Sequence, residues 1–309
     1  MRSILGKAQL ASQPGGRPPA VVELTPQGVL AAATPAPGQP FVYAFEPLPA
    51  GALVPAIGEH NMRAVEVVAA AIRSALDQVA PRTHAVTLVL PDTVVRVFVL
   101  DFDSLPSRPA EATPIIRFRL RKTIPFDVEH AGLSYQILVQ GENECKVLAA
   151  VIPGPVLAEY EAAVRQAGYE PGAVLPSSLA ALAAIDSLEA VLSANLTDLA
   201  LTTSITNGQD LLLYRTLDLP EDPIQRLGEV QRGIAVAAAY YEDKLGARPR
   251  VLHFAGASHG LNIAGDFARW LGNPDLTVED LAPRPETGAA SPMGNLSLAG
   301  IAGALAGAA

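Results

Sequence analysis

The chain has 309 residues, 50% of them hydrophobic and only 5% aromatic, so one large or two medium domains must be packed mainly with Ala, Val, Leu and Ile. A net charge of −9 argues against general nucleic-acid binding, which needs Lys and Arg to neutralise phosphates. The single cysteine, Cys145, excludes an internal disulfide and any multi-cysteine metal site.

Residues 1–19 are polar and rich in Gly and Pro and read as a flexible tail, with no run apolar enough for a signal peptide. Ala20–Leu24 and Val29–Ala33 form a hairpin across the turn Thr25-Pro26-Gln27-Gly28, and Phe41–Phe45 supplies a third strand. Asn61–Val79 has helical spacing of Val65, Val68, Ala69, Ile72 and Leu76, with Asn61 as its cap. His84–Leu90 and Val94–Leu100 are β-branched strands separated by Pro91-Asp92-Thr93.

A basic stretch, RFRLRKTIPFD from Arg117 to Asp127, follows in a chain that is acidic elsewhere. Its spacing predicts a short helix that stops before Pro125, because the residue before a proline is pushed out of the helical region. Composition alone would make it a solvated charged face. Ser134–Gln140 and Lys146–Pro153 then form a hairpin. Pro155–Ala167 is a helix closed by Gly168, and Pro176–Ala184 is another, capped by Ser177 or Ser178 and extended or followed by Leu188–Leu192.

Leu196–Thr202 and Asp210–Thr216 read as strands, joined through Asn207-Gly208, a strong turn signal. Pro223–Leu245 is a long helix, Arg250–Ala255 a strand and Leu261–Leu271 a helix. The apolar end, Leu296–Leu305, reads as a buried helix, being too short for the ~20 residues of a membrane span. The order suggests a duplicated α/β architecture: a first half at 20–85 and 155–192, an inserted subdomain at 86–154, and a second half at 193–309.

Four segments carry a resemblance to a known family. They are Val86–Pro106, Ile116–Leu138 with Ile124-Pro125-Phe126, Val147–Ile185 with Ala167-Gly168-Tyr169, and Glu229–Gly272 with Glu229, Arg232 and Tyr240-Tyr241. The chain resembles the type IV pilus assembly protein PilM family, actin-like relatives of FtsA, as a degenerate member. The resemblance implies an actin-like (ribonuclease H-like) duplicated fold with a small α+β subdomain inserted in the first half. The second small subdomain of the second half has no counterpart, since only about ten residues separate the second hairpin from the Glu229 helix.

Actin-like ATPases hold phosphates with two hairpin turns that bring carboxylates and glycines to Mg²⁺–ATP. At the first turn this chain has Glu23, Thr25 and Gly28, and Pro26 removes an amide donor. The second turn is assigned to Thr203-Ser204 with no carboxylate, and the adenine side keeps Gly256 and Gly260. ATP hydrolysis is therefore not expected, and neither ATP nor Mg²⁺ is favoured as a cofactor. Five scattered histidines and the Ser258-His259 pair lack an acid partner, and Asp101, Asp103, Asp127 and Glu129 read as solvated loop charges rather than a metal site.

The resemblance further implies a non-catalytic adaptor at the cytoplasmic face of the inner membrane. It would bind the cytoplasmic tail of a PilN-like membrane protein in a groove between the main domain and the inserted subdomain. The groove is expected along Val94–Leu100 and Ile116–Phe126, with Arg96, Arg117, Arg121, Ile124 and Phe126 as contact or positioning residues. Self-association stays open, as do two other readings: an ATPase with a relaxed site using Glu23 and Gly256, and a GspL-like secretion component.

Overall fold

The computed structural model describes residues 16–35, 39–58, 60–256, 263–282 and 297–306. The first half contains β1 (Ala20–Thr25), β2 (Gly28–Ala33), β3 (Val42–Pro47), α1 (Val65–Val79) and β4 (Ala85–Leu90). Then comes a separate block of β5 (Arg96–Phe102), α2 (Pro109–Leu120), β6 (Gly132–Gln140) and β7 (Cys145–Ile152). The chain returns with α3 (Gly154–Gln166), β8 (Glu170–Pro176) and α4 (Ser177–Ala181). The second half follows as β9 (Ala190–Leu196), β10 (Ala200–Asn207), β11 (Asp210–Asp218), α5 (Pro223–Leu245), β12 (Val251–Gly256), α6 (Ala264–Leu271), β13 (Thr277–Asp280) and α7 (Ala299–Ala306).

Two five-stranded sheets share one wiring. The first has the order β3-β2-β1-β4-β8 and the second β11-β10-β9-β12-β13. In each, three antiparallel strands are followed by two that run parallel to the first strand. Parallel neighbours cannot be joined by a tight turn, so each half must use crossover helices. In the first half α1 meets that need by burying Val68, Ile72, Ala75, Leu76 and Val79. In the second, α5 buries Val230, Ile234 and Ala237 against Leu201 and Ile205. Residues 219–222 alone link β11 to α5, so nothing is inserted there.

The block between β4 and α3 folds into its own three-stranded sheet, β5-β7-β6. It begins at Arg96 rather than at residue 86, because β4 is hydrogen-bonded between β1 and β8 in the first sheet. Of residues 188–192, expected to extend or follow a helix, 190–192 instead begin β9, which pairs with β10 on one side and β12 on the other. Sheet pairing on both edges outweighs the helical propensity of a Leu-Glu-Ala-Val-Leu run. The strand expected at Leu196–Thr202 is shifted as well: β10 starts at Ala200, and residues 197–200 form the β9–β10 turn.

Two expected caps are occupied elsewhere. α1 starts at Val65 without a side-chain cap, while the Asn61 side chain binds Ala56 through Oδ1 and Nδ2 at 2.8 and 3.0 Å. Ser178 likewise does not cap α4 but turns to Asp92. The basic helix starts at Pro109, eight residues before Arg117, and ends at Leu120. Gly168, at φ +92°, closes α3 as expected, since the left-handed region favours glycine.

Candidate functional site

The two halves meet along a seam lined by corresponding turns. In the β1–β2 turn, the Gly28 amide donates to Thr25 Oγ1 at 3.1 Å. In the β9–β10 turn, the Ala200 amide donates to Thr197 Oγ1 at 3.0 Å. Thr25 and Thr197 thus hold equivalent places, and two residues upstream of them stand Glu23 and Asn195. This corrects the assignment of the second turn to Thr203 and Ser204. Both lie within β10, where Ser204 Oγ meets Ser193 Oγ at 2.5 Å and Thr203 pairs with Ala194 and Arg215. The place that carries a carboxylate in the first half carries an amide in the second.

The turn tips touch. Gln27 Nε2 donates to Asp198 Oδ2 at 3.2 Å. Behind them the second sheet turns a buried polar face to the seam: Ser193, Asn195, Thr202, Ser204 and Thr206. Asp92, in the turn after β4, draws the halves together. It accepts from the Ser178 amide at 3.0 Å, from the Ser178 hydroxyl, and from Thr202 Oγ1 at 3.2 Å. Asn195 Nδ2 donates to Ser178 Oγ at 2.7 Å. Burial pushes the Asp92 carboxyl up, and these donors pull it back. Tyr214 is buried beside it, and its phenol is raised by burial and then by the charge on Asp92.

Glu23 lies on the face of β1 that α4 and α7 cover. Ser177 Oγ donates to its Oε1 at 2.5 Å, while Oε2 has no hydrogen-bond partner among the described residues. Burial lifts the Glu23 carboxyl to about 7, the Ser177 hydroxyl pulling it back and the charge on Asp92 adding to the rise. α7 passes so close that a Cβ on Gly300 would lie 2.6 Å from Glu23 Oε2. Gly256 ends β12 at φ +102°, and a side chain there would run into Leu196 and Asn195. Gly28 is packed under the Phe45 ring. What remains open among Glu23, Asp92, Asn195 and Gly256 is a cavity of about 90 Å³, against the roughly 300–1,000 Å³ of ordinary ligand pockets. Gly260, Ser258 and His259 lie outside the described residues.

A much larger recess, about 970 Å³, lies between the three-stranded sheet and β11. Alternation along β5 divides its side chains between two faces. Phe98, Leu100 and Phe102 join Ile116, Leu120 and Ile124 under α2. Val97 and Val99, with Leu138 and Leu148, turn towards Leu211 and Tyr214 and form the apolar floor of the groove. Tyr240 and Lys244 of α5 stand at its rim, with Lys244 Nζ 5.7 Å from the Tyr240 ring centroid. Among the described residues β5 pairs only with β7 and β11 only with β10, so both are edge strands. Each therefore offers a row of backbone donors and acceptors along its free side.

Among the residues singled out for partner contact, Arg96 lines this groove, and its Nη2 pairs with Asp218 Oδ2 at 2.9 Å. The others sit on or after α2, across the sheet from the groove. Arg117 donates to the carbonyls of Val128 and Ala131, the latter at 3.1 Å. Arg121 pairs with Glu129. Ile124 and Phe126 belong to the α2 core. The expected stretch Val94–Leu100 thus reaches the groove and Ile116–Phe126 does not. Sequence reasoning missed the other wall, β11, whose hairpin was legible but whose position beside the inserted sheet was not.

Among solved structures, the chain is similar to one in a PilM–PilN type IV pilus biogenesis complex, with TM-score 0.71 and 18% identity over 93% of this chain and 97% of that one. It is also similar to the cytoplasmic domain of EpsL, an inner-membrane component of the type II secretion system of Vibrio cholerae, with TM-score 0.50 and 13% identity over 87% and 89%. A protein of actin-like ATPase fold from Bacteroides thetaiotaomicron gives TM-score 0.48 and 10% identity over 84% and 89%. No family model matches the sequence, and no curated protein matches it. The chain has the actin-like fold, duplicated and carrying an inserted three-stranded sheet, as expected from the sequence.

Proposed function

We propose that this chain is a non-catalytic adaptor of a type IV pilus-like inner-membrane machine. It works at the cytoplasmic face of the membrane and holds an extended segment of a PilN-like membrane protein in the groove between β5, β6 and β11. The observation that carries this reading is the contrast in open space, about 970 Å³ in the groove against about 90 Å³ in the seam. An extended segment can add hydrogen bonds to a free strand edge and set alternate side chains on the floor made by Val97, Val99 and Leu138. The seam offers a nucleotide little room, and its turn tips are already bonded to each other. A GspL-like role in secretion uses the same surface with a different membrane partner, a reading the EpsL similarity supports.

The test is fluorescence anisotropy with a labelled peptide copying the cytoplasmic tail of a PilN-like protein from the same organism. Binding should be saturable and should fall by at least tenfold in Val99→Arg, which sets a charge on the groove floor. Equal binding by the variant removes the groove assignment. In parallel, Mg²⁺–ATP titrated into the protein should give no micromolar binding, and micromolar affinity would overturn the non-catalytic part of the reading.

A further inference from the structure

Four cations fall on or just after α2, and the structure disposes of them unequally. The Arg117 guanidinium is used on the Val128 and Ala131 carbonyls. Arg121 is held by Glu129. Arg119 and Lys122 have no ion-pair partner among the described residues. Phe118, 67% exposed, precedes both of them, with Ile115, 39% exposed, one turn before it and the exposed Glu111 a further turn back on the same face. Ala112, Ile116 and Leu120 form the buried stripe of the same helix, and among the described residues nothing covers this outer face.

A large aromatic side chain left in water forgoes the stabilisation that burial would bring. Here Lys122 follows it by one turn and Arg119 adjoins it, at the edge of a recess that also holds Asp101, Asp103 and Glu144; the long stems of such cations can lie along apolar surface while their heads stay in polar surroundings. That is the make-up of an interfacial helix, with apolar groups entering the headgroup boundary and Lys and Arg meeting anionic lipid. The rest of the molecule sharpens the match. The chain carries a net charge of −9, so attraction to an anionic surface has to come from a local basic face such as this one. α2 also covers the sheet face opposite the groove, so a bilayer lying against α2 leaves the groove open.

We infer that the outer face of α2 is a peripheral contact for an anionic lipid surface, with Phe118 entering the headgroup layer and Arg119 and Lys122 neutralising lipid charge. The contact belongs to the chain itself and does not depend on the groove reading. With a single aromatic and two free cations it is a weak, reversible contact that orients the protein.

The experiment is flotation of the full chain with vesicles of phosphatidylglycerol and phosphatidylcholine, compared with pure phosphatidylcholine. The wild type should float with the anionic vesicles only and be released at high salt. Arg119→Glu with Lys122→Glu should bind more than about 25-fold more weakly, since losing the two cations alone takes about fivefold each and the two added carboxylates are repelled as well. Phe118→Ser should lose about tenfold while keeping its salt dependence. Arg119→Gln with Lys122→Gln should fall between wild type and the reversal, and it decides the matter should the reversed protein fail to fold. The inference is overturned if the wild type ignores anionic vesicles or if the charge variants bind them as well as it does. It is also overturned if α2 variants lose only the capture of an acidic protein, which would make the face a protein interface.

Discussion

The seam and the groove are both places where one part of the chain faces another, yet they are built from opposite materials. At the seam, buried polar groups bond to one another, Asp92 with Ser178 and Thr202, Asn195 with Ser178 and Glu23 with Ser177, while Glu23 Oε2 and Asn195 Oδ1 find no partner among the described residues. At the groove, two edge strands stand beside an apolar floor with their free sides unpaired. The comparison teaches that topology does not locate a site: the two halves repeat each other strand for strand, but the chemistry at equivalent turns has diverged from Glu23 to Asn195.

The largest expected effect comes from untying the seam. Asp92→Ala removes the acceptor for the Ser178 amide and hydroxyl and for Thr202, all of them buried. Orphaned buried donors cost about 1–3 kcal/mol each, and loss of a buried carboxylate's own desolvation penalty offsets part of this. The net loss should be about 3–4 kcal/mol by urea denaturation. A loss below 1 kcal/mol would mean that the seam does not hold the halves together.

The next effect is a pH dependence at Glu23. Its carboxyl is raised from 4.5 to about 7 in the folded protein by burial. The folded state therefore binds the proton more tightly than the unfolded one. Stability from this group is fully present below pH 4.5, falls as pH rises towards 7, and is absent above it. The shift corresponds to about 3 kcal/mol. Glu23→Gln keeps an oxygen for the Ser177 hydroxyl and removes the titration. It should stabilise the protein by up to about 3 kcal/mol at pH 8 and by less than about 1 kcal/mol at pH 5 in thermal melts. An equal gain at both pH values would show that the carboxyl does not titrate in this range.

Much of the fold was legible because it rests on local signals. The Thr25-Pro26-Gln27-Gly28 turn, the Asn207-Gly208 hairpin, the Gly168 cap and the α5 span all follow from propensities and periodicity. β9 was not legible, since Leu188–Leu192 looks helical although its residues from Ala190 on are paired with β10 and, from Leu192, with β12. β13 was not legible either: Thr277–Asp280 is too short and polar to signal a strand outside its place beside β12. For the candidate site, Glu23 and Gly256 could be picked out from the chain alone. Asp92 and Asn195 could not, because their partners lie 86 and 17 residues away. The groove was half legible: β5 was named, but alternation places α2 behind the sheet, and only the sheet topology reveals which face meets β11.

The smallest effects separate two arginines that the sequence grouped together. Arg96 is 24% exposed and its partner Asp218 is 65% exposed, so their bond at 2.9 Å is largely screened by water. Arg96→Ala should cost no more than about 1 kcal/mol of stability, yet it removes a cation from the groove wall and should change peptide binding several-fold. Arg117 is the reverse case. Its guanidinium staples α2 to the segment that leads into β6, so Arg117→Ala should cost about 1–2 kcal/mol through two lost bonds to carbonyls. Because that staple lies across the sheet from the groove, peptide affinity should stay within twofold of wild type. Measuring stability and peptide affinity on both variants gives a crossed pattern. If Arg117→Ala weakens peptide binding more than Arg96→Ala does, the binding face is the α2 side, and the division between the two faces of the inserted sheet fails.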